Sequence, residues 1–591
     1  MSSQSPVDQP LSTYDGGPLG SGIDWSDPHS PLAPYYLTRG GILAAVVLGC
    51  AFFLLSLPPL WHTDFWVHLK YGQWIVEHRS LPQYEPLSPF TDKQRPMFDA
   101  MWLTQVGYYQ LFRWGETLAG GDRAQRLAGG VELIRLLHTI VAVAAVGFVG
   151  LACRRVANSV LWASLAMLFL LVAMLTPLTV QRPQLFGFLC FAILLALISR
   201  PILTRWASGI IPLVMVVWAN GHGSFVVGFG LLGLFLIGRA LDVWRDHEDW
   251  WGKIVRDQAI HRLLVALILS LAAVAILNPY GPHIYIEVSR FGSHPNLRSF
   301  AEWQPLNFSQ PTGGHWLYLA TVALLVLTQL VSPKSFSPLQ LLLIVTFGVW
   351  PLFQQRAMTW WLPLVPWIAA PHWVAATERW GWSGPTSIPD FRRTVLAILL
   401  LILAVIVSPA SIWLKTGSPR SVPAALHAGT PYDVAAVLQG EPAASSERVR
   451  EFARTVRQWY GDRYIGRVFT SEVLGEYLLW SLPADTPVLM FNHAQLFPEN
   501  YWADCLRVKS GGPGWWEFLD RMRVNVVVVE VAFHPALCEE IRHSTRWAVV
   551  LDESTIPARD GYSRLFVAVR RPEEAPRPVA PMPHEPKRNA P

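Results

Sequence analysis

The sequence predicts an α-helical polytopic membrane protein, with about eleven transmembrane helices followed by an extracytoplasmic α/β domain. Three observations lead there. Of the 591 residues, 52% are hydrophobic and only 15% charged, against about 25% charged in an average soluble chain. Apolar runs of spanning length recur between residues 40 and 414. Beyond them the chain turns polar, and runs such as VNVVVVE and SRLFVAV read as buried strands.

The rest of the composition narrows the class. The chain has 28 Trp, a residue that gathers at bilayer interfaces. A net charge of +5 over this length gives no case for a nucleic-acid partner. The five cysteines form no Cys-x-x-Cys pair. Cys505 and Cys538, in the polar part, are able to bridge in an oxidising compartment.

Residues 1–38 are rich in Ser, Pro, Gly and Asp and read as a disordered tail, as does the Pro-rich stretch 571–591. No basic n-region precedes the first apolar run, so that run is expected to be a retained span. The predicted spans are 40–59, 131–151, 157–176, 185–199, 207–220, 222–238, 262–278, 316–331, 337–353, 357–377 and 394–414. The region 207–238 reads as a hairpin or as one broken helix. With the N-terminus in the cytoplasm, the inner loops carry Arg154, Arg155, Arg200, Arg205, Arg239, Arg245, Lys253, Arg256, Lys334, Arg379, Arg392 and Arg393. The short outer loops carry only Arg182, Arg290, Arg298 and Arg356. This is the positive-inside bias, and it sets the orientation.

That orientation gathers the unusual polar segments on the outer side: TDFWVHL, TVQRPQ, WANGHGS, NPYGPHIY with AEWQP, and FQQRAM. Irregular backbone at membrane depth is tolerated where it lines a cavity, so one outward-facing cavity is expected. The long first outer loop, 60–130, holds two amphipathic segments, DFWVHLKYGQWIVEH and MWLTQVGYYQLF, expected to lie in the interface plane. After residue 415, the stretches RVFTSE, PVLMFN, VNVVVVE, RWAVVLD and SRLFVAV read as strands, with helical spacing in GEYLLWSL and GWWEFLDRMR. GGPGWW lacks the spacing of a nucleotide-binding loop.

The motifs Asp64 with HLKYGQWIVEHRSLP, then PLSPFT, RPMFDAMWLTQV, QRPQLFGF, VWANGHGSFVVG, LNPYGPHIY with EWQP, and RVFTSEVLGEYLLWSLP carry a resemblance. In order and spacing they resemble bacterial multi-pass membrane proteins related to the GT-C glycosyltransferases, which use lipid-phosphate sugars as donors. The resemblance covers most of residues 39–570. It implies a GT-C-like transmembrane domain over 39–414, a soluble α/β domain over 415–570, and residence in the bacterial cytoplasmic membrane with the C-terminal domain extracytoplasmic. It further implies a polyprenyl-phosphate-linked sugar as donor partner, and a glycan, lipid or protein acceptor whose identity stays open.

On that resemblance Asp64 is the expected catalytic base and Asp99 its assistant, and an acceptor hydroxyl attacks the anomeric carbon. Asp64 also suits the N-cap of the helix that starts at Phe65. Arg182, Arg356 and His222 are expected to bind the donor phosphate. His68, Trp102, Glu302 and Trp303 are expected to contact substrate, with Glu302 bonding sugar hydroxyls and Trp303 stacking on a sugar ring. The chain departs from the pattern at Ala100 and Met101, positions often polar in the related proteins. At FNHAQ it has no acidic residue where they often have one, so Asn492 and His493 are weak catalytic candidates. His62, Asp64 and His68 do not complete a metal shell. No metal site is predicted and no cofactor is firmly predicted, with a divalent cation left open. The alternatives to a transferase are a non-catalytic scaffold of the same fold and a transporter or flippase of lipid-linked glycans.

Overall fold

The computed structural model describes residues 33–60, 64–200, 203–246, 249–310, 313–382, 389–441, 446–557 and 564–574. All eleven predicted spans are helical within these residues. Helices α1 (Arg39–Ser56), α2 (Phe65–His78), α3 (Trp102–Ala119) and α4 (Arg123–Ala157) are followed by α5 (Val160–Ala173), α6 (Gln184–Ile198), α7 (Arg205–Gly221) and α8 (Phe225–Asp246). Then come α9 (Gln258–Leu277), α10 (Gly314–Val331), the segmented Pro338–Phe353, α11 (Met358–Arg379) and α12 (Phe391–Val407). Five of these (α1, α4, α8, α9 and α10) are long and apolar enough to cross a membrane, or six if α12 and the Pro409–Thr416 helix, bent by 70°, form one span. The others fall short of that standard, and their interruptions are visible. A π-helical turn, Ile344–Gly348, breaks the segment before α11, and α11 itself contains Pro363, Pro366 and Pro371. The 207–238 region is two helices separated at His222–Ser224.

Local sequence starts several of these helices. Thr38 accepts the Gly41 amide at the head of α1, and Asp122 and Gln125 form a reciprocal capping box on α4. On the periphery, α12 buries only Ala397, and Ile276 on α9 and Leu330 on α10 are 77% and 78% exposed. Apolar faces of that kind need a non-aqueous cover, and together with the helix lengths they mark a multi-pass membrane protein. Residues 33–38, placed in the disordered tail by composition, are held to the head of α12, where the Leu37 amide donates to Thr394 Oγ1 at 2.8 Å. Residues 571–574 of the second predicted tail are likewise held, by the Arg571 amide to the Arg546 carbonyl and by a turn over Pro572–Glu574, and the remainder of both predicted tails lies outside the described residues.

The C-terminal region folds around a four-stranded sheet in the order β1-β2-β4-β3, with β1 Arg467–Thr470, β2 Val524–Glu530, β3 Trp547–Asp552 and β4 Leu565–Arg570. β1 and β2 are parallel, while β4 runs antiparallel to both β2 and β3. Every residue of β2 is buried. Val526 and Val528 face one core cluster and Val524, Val527 and Val529 the other, so the continuous apolar run reflects a strand covered on both faces. PVLMFN is not a strand. It runs beside β1 with one bridge, Val468 to Val488, and ends at Asn492 beside Asp64 in the first loop. Cys505 and Cys538 are separate buried thiols, not a bridge.

The two regions are joined along the first loop. Leu60 pairs its backbone with Ala425 and His427, and Arg420 holds Glu132 of α4 through two hydrogen bonds of 2.6 and 2.8 Å. Phe65, Trp66 and Leu69 of α2 enter one core cluster of the C-terminal sheet, and Val67 and Tyr71 enter the other. The expected interfacial placement of α2 is therefore corrected. Five consecutive residues, Phe65 to Leu69, are buried, because α2 packs between α3 and α13 (Glu472–Ser481) of the C-terminal region.

Candidate active site

Asp64 opens the site with an unusual backbone. Its φ of 60° and ψ of −22° lie in the left-handed region, which costs a non-glycine residue free energy and persists only when surroundings enforce it. It occupies the N-cap position of α2 but makes no capping hydrogen bond. The Val67 amide instead donates to Glu476 Oε2 at 3.1 Å, from α13 in the C-terminal region. The other oxygen of Glu476 accepts the Asn492 amide at 3.0 Å. Asn492 Nδ2 in turn donates to Asp64 Oδ1 at 2.8 Å, and Arg182 Nε lies 3.3 Å from Asp64 Oδ2. A residue more than four hundred positions away thus caps the helix, and the Asp64 carboxylate is turned outward.

The charges continue in alternation. Arg182 Nη1 donates to one oxygen of Glu302 and Arg356 Nη1 to the other, each at 3.0 Å. Arg356 also lies over the Trp303 ring, 5.0 Å from its centroid. Two hydrogen bonds hold these segments in register, the backbone Gln355 N to Gln304 O and the side-chain Gln355 Nε2 to Pro305 O. Burial by itself would raise the Asp64 carboxyl, but Arg182, then His68, His493 and Arg356, outweigh it and hold the group below the usual carboxylate range. Glu476 moves the other way, raised by its burial and by the negative charge of Asp64.

A second wall contains Asp99. Its Oδ1 accepts the Met101 amide at 2.9 Å and Gln105 Nε2 at 3.1 Å. The same Gln105 nitrogen is 3.1 Å from His68 Nδ1, and the His68 ring meets the His493 ring edge-on at 5.0 Å. Gly72 makes this junction available: a Cβ there would overlap the carbonyl of Gln105, so α2 and α3 approach only because that side chain is missing. The Asp99 amide donates to Tyr280 Oη at 3.0 Å. Burial pushes the Asp99 carboxyl up to about 6 against two opposing hydrogen bonds. Burial also lowers His493, to about 4, and His68.

Asp64, His68, Asp99, Arg182, His222, Glu302, Trp303 and Arg356 all line one cavity of about 840 Å³, with Asn492 and His493. All five polar segments contribute to it, directly or, for NPYGPHIY, through Glu287 and Val288 just beyond that segment. One expected contact is absent. Trp102 does not line the cavity; its Nε1 donates to Asn220 Oδ1 at 2.9 Å, which fastens the start of α3 to the end of α7. Glu302 bonds an arginine through each oxygen and Trp303 faces Arg356, so both line the cavity already engaged with guanidiniums. His222 holds Ser224 Oγ at 2.7 Å at the break between α7 and α8. Among the described residues no group of three or more His, Cys, Asp or Glu is placed to hold a metal ion, and His62 lies outside them.

Sequence reading passed over Gln105 and Glu476, and set Asn492 and His493 aside for lack of a carboxylate. Gln105 stands in WLTQV and Glu476 in GEYLLW, so the motifs contained them without marking their partners. Nothing local to FNHAQ signals that it meets a residue more than four hundred positions away.

No family model matches the chain, and no curated protein does. Among solved structures, the chain is similar to the oligosaccharyltransferase AglB of Archaeoglobus fulgidus, in complex with an inhibitory peptide and a dolichol-phosphate, at 11% identity and a TM-score of 0.49 over 85% of this chain and 70% of that one. It is also similar to ArnT of Cupriavidus metallidurans bound to undecaprenyl phosphate, at 14% identity and a TM-score of 0.43 over 91% and 99% of the two chains. A third likeness is to the arabinofuranosyltransferase AftD from Mycobacteria, at 15% identity and a TM-score of 0.47 over 90% of this chain and 42% of that one. With TM-scores under 0.5, these likenesses carry nothing about substrate or residue roles.

Proposed function

We propose that this protein is an integral membrane glycosyltransferase that moves a sugar from a polyprenyl-phosphate donor to an acceptor on the non-cytoplasmic face. One observation carries the reading: the alternating chain Asp64–Arg182–Glu302–Arg356 along the wall of a large cavity at the junction of the membrane helices and the C-terminal domain. Two guanidiniums held by shared carboxylates are a preorganised counter-charge for a leaving phosphate. Arg356 hydrogen-bonds only through Nη1 to Glu302 among the described residues, and its planar fork suits phosphate oxygens. Glycosyl transfer passes through a state with positive charge at the anomeric carbon. Asp64, kept ionised by Arg182, is a fixed negative charge for that state, and it approaches the donor from the same side as the arginines. The resemblance of these motifs to GT-C glycosyltransferases supports the same class, and the surplus of basic residues in the opposite loops supports the facing.

The test is Asp64→Asn and a full deletion in the native host, with surface glycans and glycosylated proteins compared by mass spectrometry. Both strains are expected to lose the same glycan modification, by about 100-fold or more, as expected when an electrostatic group in an active site is removed. Purified Arg182→Ala and Arg356→Ala variants are expected to lose binding of undecaprenyl phosphate. Unchanged glycans in both strains would leave the non-catalytic scaffold as the better reading.

A further inference from the structure

Three polar atoms on residues of the cavity wall are buried without hydrogen-bond partners: Asp99 Oδ2, Gln105 Oε1 and His493 Nδ1. All three residues line the cavity. They form one connected surface, because Gln105 bridges Asp99 and His68 and His68 touches His493. Buried polar atoms without partners are rare and costly, and several on one cavity wall point to a missing ligand. Both unpartnered oxygens accept hydrogen bonds, so the ligand must bring donors. No guanidinium or ammonium bonds Asp99, Gln105 or His68, so these groups offer an anion no direct cationic partner. A hydroxyl donates and accepts at once and fits all three atoms.

We infer that the Asp99–Gln105–His68–His493 wall is the acceptor subsite, that it takes a compound presenting neighbouring hydroxyls such as a sugar or polyol, and that Asp99 rather than Asp64 is the catalytic base. The inference rests on the transferase reading. In the reaction the acceptor oxygen forms a bond to the anomeric carbon while the bond from that carbon to the donor phosphate oxygen breaks. The electron pair leaves with the phosphate, facing Arg182 and Arg356. The hydroxyl proton passes to Asp99 Oδ2. The two carboxylates divide the work according to their surroundings. Asp64 is paired with a guanidinium and is a poor proton acceptor, whereas burial without a cationic partner makes Asp99 the more basic group. Met101 and Gln105 hold Oδ1, which orients the second oxygen, and this also gives a use to the segment FDAMW with its apolar Ala100 and Met101.

The experiment uses membranes of the deletion strain as the source of both donor and acceptor, with purified full-length protein added and products followed by mass spectrometry. Asp99→Asn is expected to lower the transfer rate at least 100-fold while undecaprenyl phosphate binding stays within twofold of wild type. Asp99→Ala is expected to recover at least tenfold on addition of sodium formate, which a packing role would not show, and the product is expected to be joined through oxygen. Transfer by Asp99→Asn at half the wild-type rate or more overturns the inference. So does loss of lipid-phosphate binding together with transfer, absence of formate rescue in an Asp99→Ala protein that still binds the lipid, or a product joined through nitrogen. If wild type neither binds the lipid phosphate nor modifies the membranes, the transferase reading itself fails and the acceptor subsite falls with it.

Discussion

Asp64 and Asp99 show how two like residues acquire opposite properties from their neighbours. Asp64 sits beside a guanidinium and an amide donor, and its left-handed backbone is held by contacts on both sides. Asp99 has two hydrogen bonds on one oxygen, none on the other and no cation bonded to it, so burial dominates and its carboxyl rises to about 6. A raised carboxyl stores a stability cost whose sign is fixed. The folded state binds the proton more tightly than the unfolded state, so the cost is absent below the ordinary value of 3.8 and fully present above about 6. A shift of that size corresponds to about 3 kcal/mol. Asp99→Asn keeps the oxygen that Met101 and Gln105 bond and removes the charge. It is expected to melt at a higher temperature than wild type at pH 7.5, with the gap closing by about pH 4, as read by thermal unfolding in detergent. A variant that melts lower at pH 7.5 would show that the charged form is stabilised by groups other than those named. The sequence placed both aspartates among the candidates, but which of them is paired with Arg182 depends on a loop more than eighty residues beyond Asp99.

At the scale of the elements, the start of α2 depends on a carboxylate from another part of the chain. Asp64 is a favoured N-cap residue type, and local reading assigns it that role. The fold gives the Val67 amide to Glu476 on α13, which also holds the Asn492 amide. A local cap and an outward-turned carboxylate are mutually exclusive for one side chain, and the distant cap resolves the conflict. Glu476→Ala leaves two buried amides without acceptors, a loss of about 1–3 kcal/mol each. Hydrogen–deuterium exchange is expected to speed up selectively over residues 64–69 and 490–493, with α9 and α10 unchanged. Uniform acceleration across the protein would mean that Glu476 supports the fold at large and not this junction. The helical character of α2 and α3 was legible from their spacing. The burial of α2 was not, because amphipathic spacing is the same whether the apolar face meets lipid or another domain.

For the whole molecule, the membrane helices and the C-terminal domain share the site, so its assembly depends on how they join. Glu132 on α4 accepts two hydrogen bonds from Arg420 and lies 3.5 Å from Arg135, which itself donates to the carbonyls of Ser56 and Leu57 at the end of α1. Glu132→Ala would leave the buried Arg135 guanidinium and the partly buried Arg420 guanidinium without their carboxylate, at a cost of about 3–5 kcal/mol. A lowered melting temperature and freer proteolysis between residues 415 and 430 are the expected results, and an unchanged melting temperature would remove this pair from the joint. By itself the sequence determined that apolar helices precede a polar C-terminal domain, and it marked the five segments that carry the cavity. Those follow from composition and periodicity, which are properties of neighbouring residues. Only the tertiary structure decided that Asn492 and Glu476 stand beside Asp64, that Glu302 is held by two arginines, and that Trp102 bonds Asn220 instead of lining the cavity. Each of these pairs residues dozens to hundreds of positions apart, and such contacts are set by tertiary packing, which no local pattern records.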